Sequence, residues 1–160
     1  MRWAPRTAPP APPPATNASA ARIYGREATL DEIQTQIRRR GFLTLTGPGG
    51  IGKTTLAARA AELLAPNYPD GVVFVDFASL SSRAGAVEHL AALLQVPTAE
   101  THAMHGIVAF LAARRMLLVL DNCERVVDAM APLCSAIAAQ AHGTHILATS
   151  REPLAAAGEW

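Results

Sequence analysis

The run Gly47-Pro48-Gly49-Gly50-Ile51-Gly52-Lys53-Thr54-Thr55 constrains the fold more than any other part of the chain, because it fits G-x-x-x-x-G-K-[ST] without a mismatch. The apolar segment Phe42-Leu43-Thr44-Leu45-Thr46 precedes it, and a helical pattern over Lys53 to Leu64 follows. This is the strand–loop–helix setting that the pattern requires. Glycines let such a loop wrap a phosphate chain and bring backbone N–H groups close to its oxygens. The next helix turns its positive N-terminal end toward the same anion. On this reading Lys53 reaches the β- and γ-phosphates and the Thr54 hydroxyl holds Mg²⁺, so a nucleoside triphosphate or its diphosphate is the expected ligand.

A chain of 160 residues suits a single core. Half the residues are hydrophobic but only 5% are aromatic, so Ala, Leu, Val and Ile must fill that core. A net charge of +1 leaves no electrostatic footprint for nucleic acid or an anionic membrane. Arg38-Arg39-Arg40 and Arg114-Arg115 sit at expected helix ends, where basic groups complement the helix dipole. There is neither a membrane-length apolar stretch nor a signal-peptide core, and a cytoplasmic setting is expected. If Cys123 and Cys134 share one helix, their 11-residue separation puts them about 16 Å apart. A disulfide needs Cα atoms within about 7 Å, so two reduced, buried thiols are expected. His102/His105 and His142/His145 have ligand-like spacing, but no acid or cysteine completes a set beside either pair.

Residues 1–21 are rich in Pro and Ala and read as an extended linker or disordered arm. Over 22–160 the pattern alternates. A helix over 27–40 presents Leu30, Ile33 and Ile37. After the phosphate loop, Leu56, Ala60, Leu63 and Leu64 mark an inward helix face. Val72-Val73-Phe74-Val75 forms a second strand closing at Asp76, and helices follow over 83–96 and 101–114. Met116 to Leu120 is a third strand ending in Asp121. A helix over about 125–140, kinked near Pro132, leads to a fourth strand from Thr144 to Thr149. Continuously apolar strands alternating with helices predict an α/β fold, a P-loop NTPase with three α/β/α layers and a parallel sheet of four strands. Right-handed crossovers then align the strand C-termini along one ligand-binding edge.

Leu117-Leu118-Val119-Leu120-Asp121 is a Walker B pattern about 70 residues after the phosphate loop. Asp121 there could hold Mg²⁺ beside Thr54, or simply cap the next helix. Hydrolysis also needs a group that orients or deprotonates water. Asn122 cannot be a base. Glu124 and Asp76 are both candidates, and each could equally be a cap or loop carboxylate. Arg151, directly after the fourth strand, could reach γ-phosphate oxygens or pair with Glu152 at the surface.

Five segments together carry a more specific resemblance. They are Ile23 to Glu27, Leu45 to Thr55, Tyr68 to Asp76, Leu117 to Glu124 and Ile146 to Leu154. Over residues 22–160 the chain resembles the NB-ARC-like ATPases of the STAND class, in the branch found in bacterial LuxR-type and SARP-type transcriptional regulators. The resemblance implies a switch that ADP holds closed and ATP opens, and that acts on other protein domains or on copies of itself. It places Gly25 and Arg26 beside the adenine and makes Arg151 the sensor. The full nucleotide-binding set is then Gly25, Arg26, Gly47, Pro48, Gly49, Gly50, Ile51, Gly52, Lys53, Thr54, Thr55 and Arg151. Thr54 and Asp121 would be the Mg²⁺ ligands, and Lys53, Asp121 and Glu124 the catalytic groups. Asn122 agrees with this branch but departs from the acid pair of many relatives, so at most slow ATP hydrolysis is implied. In the family a fifth strand follows the Gly158-Glu159 segment, so the domain is expected to be incomplete at its C-terminal end. A non-catalytic nucleotide-binding module is the alternative. A small-molecule P-loop kinase is a third reading, for which only Arg114, Arg115 and Arg125 could serve as lid arginines. An LSGGQ-like signature, which an ABC transporter subunit would need, is absent.

Overall fold

The computed structural model describes residues 26–80, 85–97 and 103–160. The expected arm over 1–21 and Gly25 lie outside the described residues, as do the starts of the two helices expected at 83 and 101 and one member of the first histidine pair, His102.

Strands β1 (Phe42–Thr46), β2 (Val72–Asp76), β3 (Leu117–Asp121) and β4 (His145–Ser150) form one sheet in the order β1-β4-β3-β2. Every neighbouring pair is parallel. Helices α1 (Glu27–Arg40) and α2 (Lys53–Leu64) cover one face, and α3 (Ala86–Leu93), α4 (Ala103–Ala112) and α5 (Val127–Gln140) cover the other. The residues of β3 alternate between the two cores. Leu117 and Val119 pack with Leu43, Leu147 and the helix residues Leu30, Ile33, Ile37 and Leu64. Leu118 and Leu120 pack with Phe42, Ile146, Leu90, Ile107 and Leu133. That double burial is why the strand reads as uninterrupted apolar sequence.

Two expectations change. Leu63 is 38% exposed, and Ala57 and Ala61 are buried in its place. Leu56, Ala60 and Leu64 recur at four-residue intervals, and a residue one step from Leu64 lies about 100° around the helix. Helix α3 stops at Leu93 rather than running to Pro97. Gln95 turns left-handed (φ 56°), its N–H donates to the Ala92 carbonyl, and the Val96 N–H donates to that of Ala91. This is a Schellman stop, with Val96 buried beneath it. Helix α5 begins at Val127 and runs through Pro132.

Cys123 lies on the short 3₁₀ turn Cys123–Arg125 before α5, not on the helix that carries Cys134. Both thiols are free and buried. Burial pushes the Cys134 thiol up to about 12 and raises that of Cys123 further. At the open side of β1, the Thr44 N–H donates to the Trp160 carbonyl at 2.9 Å, and the Arg40 guanidinium lies over the Trp160 ring. No helix among the described residues is long and apolar enough to cross a membrane.

Candidate functional site

Because all strands are parallel, their C-terminal ends meet along one edge. It carries the phosphate loop after β1, Asp76 on β2, Asp121 on β3 and Thr149-Ser150-Arg151 on β4. β4 lies between the phosphate-loop strand and the Walker B strand. Its end therefore sits between the loop and Asp121.

The loop needs its glycines. Gly47 (φ 150°) passes so close to Ile51 that a Cβ there would stand 2.6 Å from the Ile51 Cδ1. Gly50 (φ 81°) and Gly52 (φ 87°) are left-handed, and a Cβ on Gly50 would enter open space. Pro48 and Gly49 are exposed at the crest of the loop. Lys53 opens α2 and folds back over the loop, its Nζ donating to the Gly47 carbonyl at 2.6 Å and the Pro48 carbonyl at 2.9 Å. An ammonium held this way puts a positive charge against the loop that an anion would meet. Thr55 follows Thr54 in the first turn of α2 and is half-buried.

Thr54 and Asp121, 67 residues apart, meet here: the Thr54 hydroxyl lies 2.9 Å from both Asp121 carboxylate oxygens. Asp121 is only 1% exposed, whereas Thr54 is exposed, so the pair joins a buried carboxylate to a group at the open surface. The Thr149 hydroxyl also donates to Asp121 Oδ1 and accepts from the Asn122 N–H at 3.1 Å. An oxygen pair of this kind, a hydroxyl and a carboxylate beside a phosphate loop, is the donor set that Mg²⁺ prefers. Asp121 does not cap a helix; the position before the 3₁₀ turn belongs to Asn122.

Two arginines flank the loop. The Arg151 guanidinium is 3.4 Å from where a Cβ on Gly49 would lie, and that of Arg26 is 3.2 Å from the corresponding point on Gly52. Arg151 Nε also lies 3.5 Å from Glu124 Oε1, with Arg151 mostly exposed and Glu124 largely covered. Glu124 Oε2 is buried without a hydrogen-bond partner among the described residues. The Arg151 partner is thus Glu124, and no ion pair between Arg151 and Glu152 occurs among the described residues.

Asp76 caps the 3₁₀ turn Phe77–Ser79, accepting from the Ala78 N–H at 2.8 Å. Two features of this edge escaped the sequence reading. Thr149 is a buried hydroxyl clasping Asp121, signalled only by polar residues closing an apolar strand. Asn122 is left-handed (φ 61°), and its amide donates both to Asp76 Oδ1 (2.8 Å) and to Asp121 Oδ2 (3.1 Å). Of the second histidine pair, His145 lies at the opposite edge of the sheet, engaged with Tyr68. No group of three or more His, Cys, Asp or Glu side chains that could hold a metal occurs among the described residues.

Fold and site together define an AAA-type P-loop ATPase domain. The family model described as "AAA domain" matches residues 35–153, and the chain belongs to that family. A Mycobacterium tuberculosis protein named as an HTH-type transcriptional regulator is 40% identical over 128 residues, covering 79% of this chain and 14% of its own length. The regulatory protein AfsR of Streptomyces griseus is 32% identical over 114 residues, covering 62% of this chain and 12% of its own. The chain therefore spans about one seventh of the first of these relatives. Among solved structures, Cdc6p of Pyrobaculum aerophilum superposes with a TM-score of 0.61 at 17% identity, over 82% of this chain and 40% of that one. A chain of the Drosophila ORC complex with AT-rich DNA and Cdc6 gives 0.52 at 19% identity, over 84% and 57%. These two likenesses concern the fold.

Proposed function

We propose that this domain is an ATP/ADP switch of the NB-ARC-like STAND type, serving a larger regulatory protein. The observation that carries the reading is the meeting of Thr54 with the buried Asp121 beside a glycine loop crowned by Lys53. The loop from Gly47 to Thr55 binds the phosphates, and Thr54 and Asp121 hold Mg²⁺, which when bound neutralises phosphate charge. The family resemblance assigns Gly25 and Arg26 to the adenine, which the position of the Arg26 guanidinium beside Gly52 supports for Arg26, and Arg151 reads the γ-phosphate. The Glu124 contact gives Arg151 a place to rest when no γ-phosphate competes for it. The similarity to HTH-type regulators supports a role in transcriptional control, with DNA contacts made by other domains and the switch acting on protein partners or further copies.

Hydrolysis, where it occurs, is slow. Bare P-loop GTPase cores turn over only about 10⁻⁴ times per second, and Asn122 stands where many ATPases carry an acid. A purely binding module is the second reading, favoured by that same Asn122. Titration calorimetry with ADP and with ATP, each with Mg²⁺, tests the nucleotide site, and absence of heat in both overturns it. Phosphate release by the same protein separates the two readings. A rate up to about once a minute fits a slow switch, and a rate above about one per second overturns that reading.

A further inference from the structure

A carboxylate at the site edge has a free oxygen and a tether, and it is not the one nearest in sequence to the Walker B aspartate. The parallel register sets Asp76 directly opposite Asp121 on the adjoining strand. Between them, the Asn122 amide nitrogen donates to Asp76 Oδ1 and to Asp121 Oδ2. With those two hydrogen bonds laid end to end, the two carboxylates are no more than about 6 Å apart. Asn122 reaches both because its backbone is left-handed, a conformation that asparagine tolerates better than most residues. Asp76 Oδ1 is fully used, by Asn122 and by the Ala78 N–H. The other carboxylate oxygen is the acceptor left over, on an exposed residue. Glu124 differs: its Oε1 faces the Arg151 guanidinium and its Oε2 is buried.

We infer that Asp76 is the carboxylate that activates the attacking water, and that Asn122 is the positioning residue that aims it. The inference rests on the ATP-switch reading. In the step, the water oxygen bonds to the γ-phosphorus as the bond from that phosphorus to the β–γ bridging oxygen breaks. ADP leaves with the electron pair, the water proton passes to the free Asp76 oxygen and then to solvent, and inorganic phosphate is the second product. The amide that replaces a second acid at position 122 thus supports a base supplied by the neighbouring strand.

The test is single-turnover hydrolysis of γ-labelled ATP with Mg²⁺ by the full chain, with ADP affinity measured in parallel by calorimetry. Asp76→Asn keeps an oxygen to cap the 3₁₀ turn, so it isolates the charge from the cap. It is expected to slow hydrolysis about a hundredfold, leave ADP affinity unchanged and remove the acid limb of the pH–rate profile. Asn122→Ala should slow hydrolysis with ADP affinity retained, whereas Glu124→Gln should keep the acid limb. Loss of that limb in Glu124→Gln, with its retention in Asp76→Asn, overturns the inference in favour of Glu124. An unchanged rate in Asp76→Asn also overturns it. A parent protein that binds ATP without hydrolysing it removes the catalytic role while the nucleotide site stands. A protein that binds neither nucleotide removes both.

Discussion

The two edges of the sheet hold buried polar groups of opposite character. At the C-terminal edge, Asp121 collects hydroxyls from Thr54 and Thr149 and an amide from Asn122, next to the loop carrying Lys53. At the N-terminal edge, the Tyr68 hydroxyl and His145 Nδ1 share a 2.8 Å hydrogen bond, their rings edge to face. Burial keeps that second pair neutral: it lifts the Tyr68 phenol to about 12 and lowers the His145 imidazole below its usual value, with Arg115 adding to the lowering. One edge gathers charged groups around an opening. The other joins Tyr68, in the segment between α2 and β2, to His145 at the start of β4 through groups held neutral. The difference teaches that burial of polar side chains marks function here only where a carboxylate survives among them beside an anion-binding loop.

The comparison breaks most visibly at Lys53. Lys53→Ala is predicted to abolish measurable ATP and ADP binding while circular dichroism and melting temperature stay unchanged, because its ammonium contacts loop carbonyls and not the core. The lost charge-assisted contact is worth roughly 1.5–3 kcal/mol, and the loop loses its only lysine. Calorimetry showing unchanged affinity in a folded variant would remove the phosphate-loop role from this edge.

Asp121→Asn sharpens the same side with a smaller, conditional effect. It should weaken Mg²⁺-dependent ATP binding more than ADP binding in EDTA, because a carboxylate next to Thr54 stabilises a divalent cation where an amide does so poorly. Equal losses with and without EDTA would make Asp121 a structural anchor for Thr54 and Thr149.

How much of this contrast could be read from the chain depends on how local its causes are. The phosphate loop, the four strands and helices α1 and α2 follow from neighbours in sequence: the glycine pattern, apolar runs, and Gly41, whose left-handed backbone ends α1. The stop of α3 was hidden because Gln95 turns left-handed where glycine would have announced it. The role of Asn122 was hidden for a different reason. It depends on β2 lying in register beside β3, so that residues 46 positions apart become hydrogen-bonded. No local pattern encodes that. Thr149 is of the same kind, since its hydroxyl matters only because β4 inserts between β1 and β3. The Tyr68–His145 seam joins residues 77 apart, and spacing suggested only a metal-like pairing of His142 with His145.

At the neutral edge, Tyr68→Phe should cost about 1–3 kcal/mol of stability, since it leaves the half-buried His145 nitrogen without its partner while preserving the ring packing. ADP affinity should not change. Urea unfolding with calorimetry alongside checks both, and a variant that loses ADP affinity at unchanged stability would erase the distinction between the edges.

The smallest effect is the pH dependence of that seam, and its sign follows from which form the fold prefers. His145 is held below its ordinary value of about 6.5, mainly by burial and then by Arg115. Above that value both folded and unfolded chains carry a neutral imidazole, and the stabilisation is fully present. As the pH falls below it, the unfolded chain takes up the proton first, so stability drops until the folded-state value is passed and then levels off. Tyr68 works from the other side. Its phenol is raised from 10.0 to about 12, so stability is lost as the pH climbs from about 10 through 12. Melting temperature should therefore decline between pH 7.5 and 5.5, a window above the ordinary carboxylate range, and His145→Gln should flatten that decline. Lys53→Ala, altered only at the opposite edge, should keep it. If His145→Gln melts with the parent's pH dependence, the imidazole is not the group being titrated and the seam is not neutral by virtue of its burial.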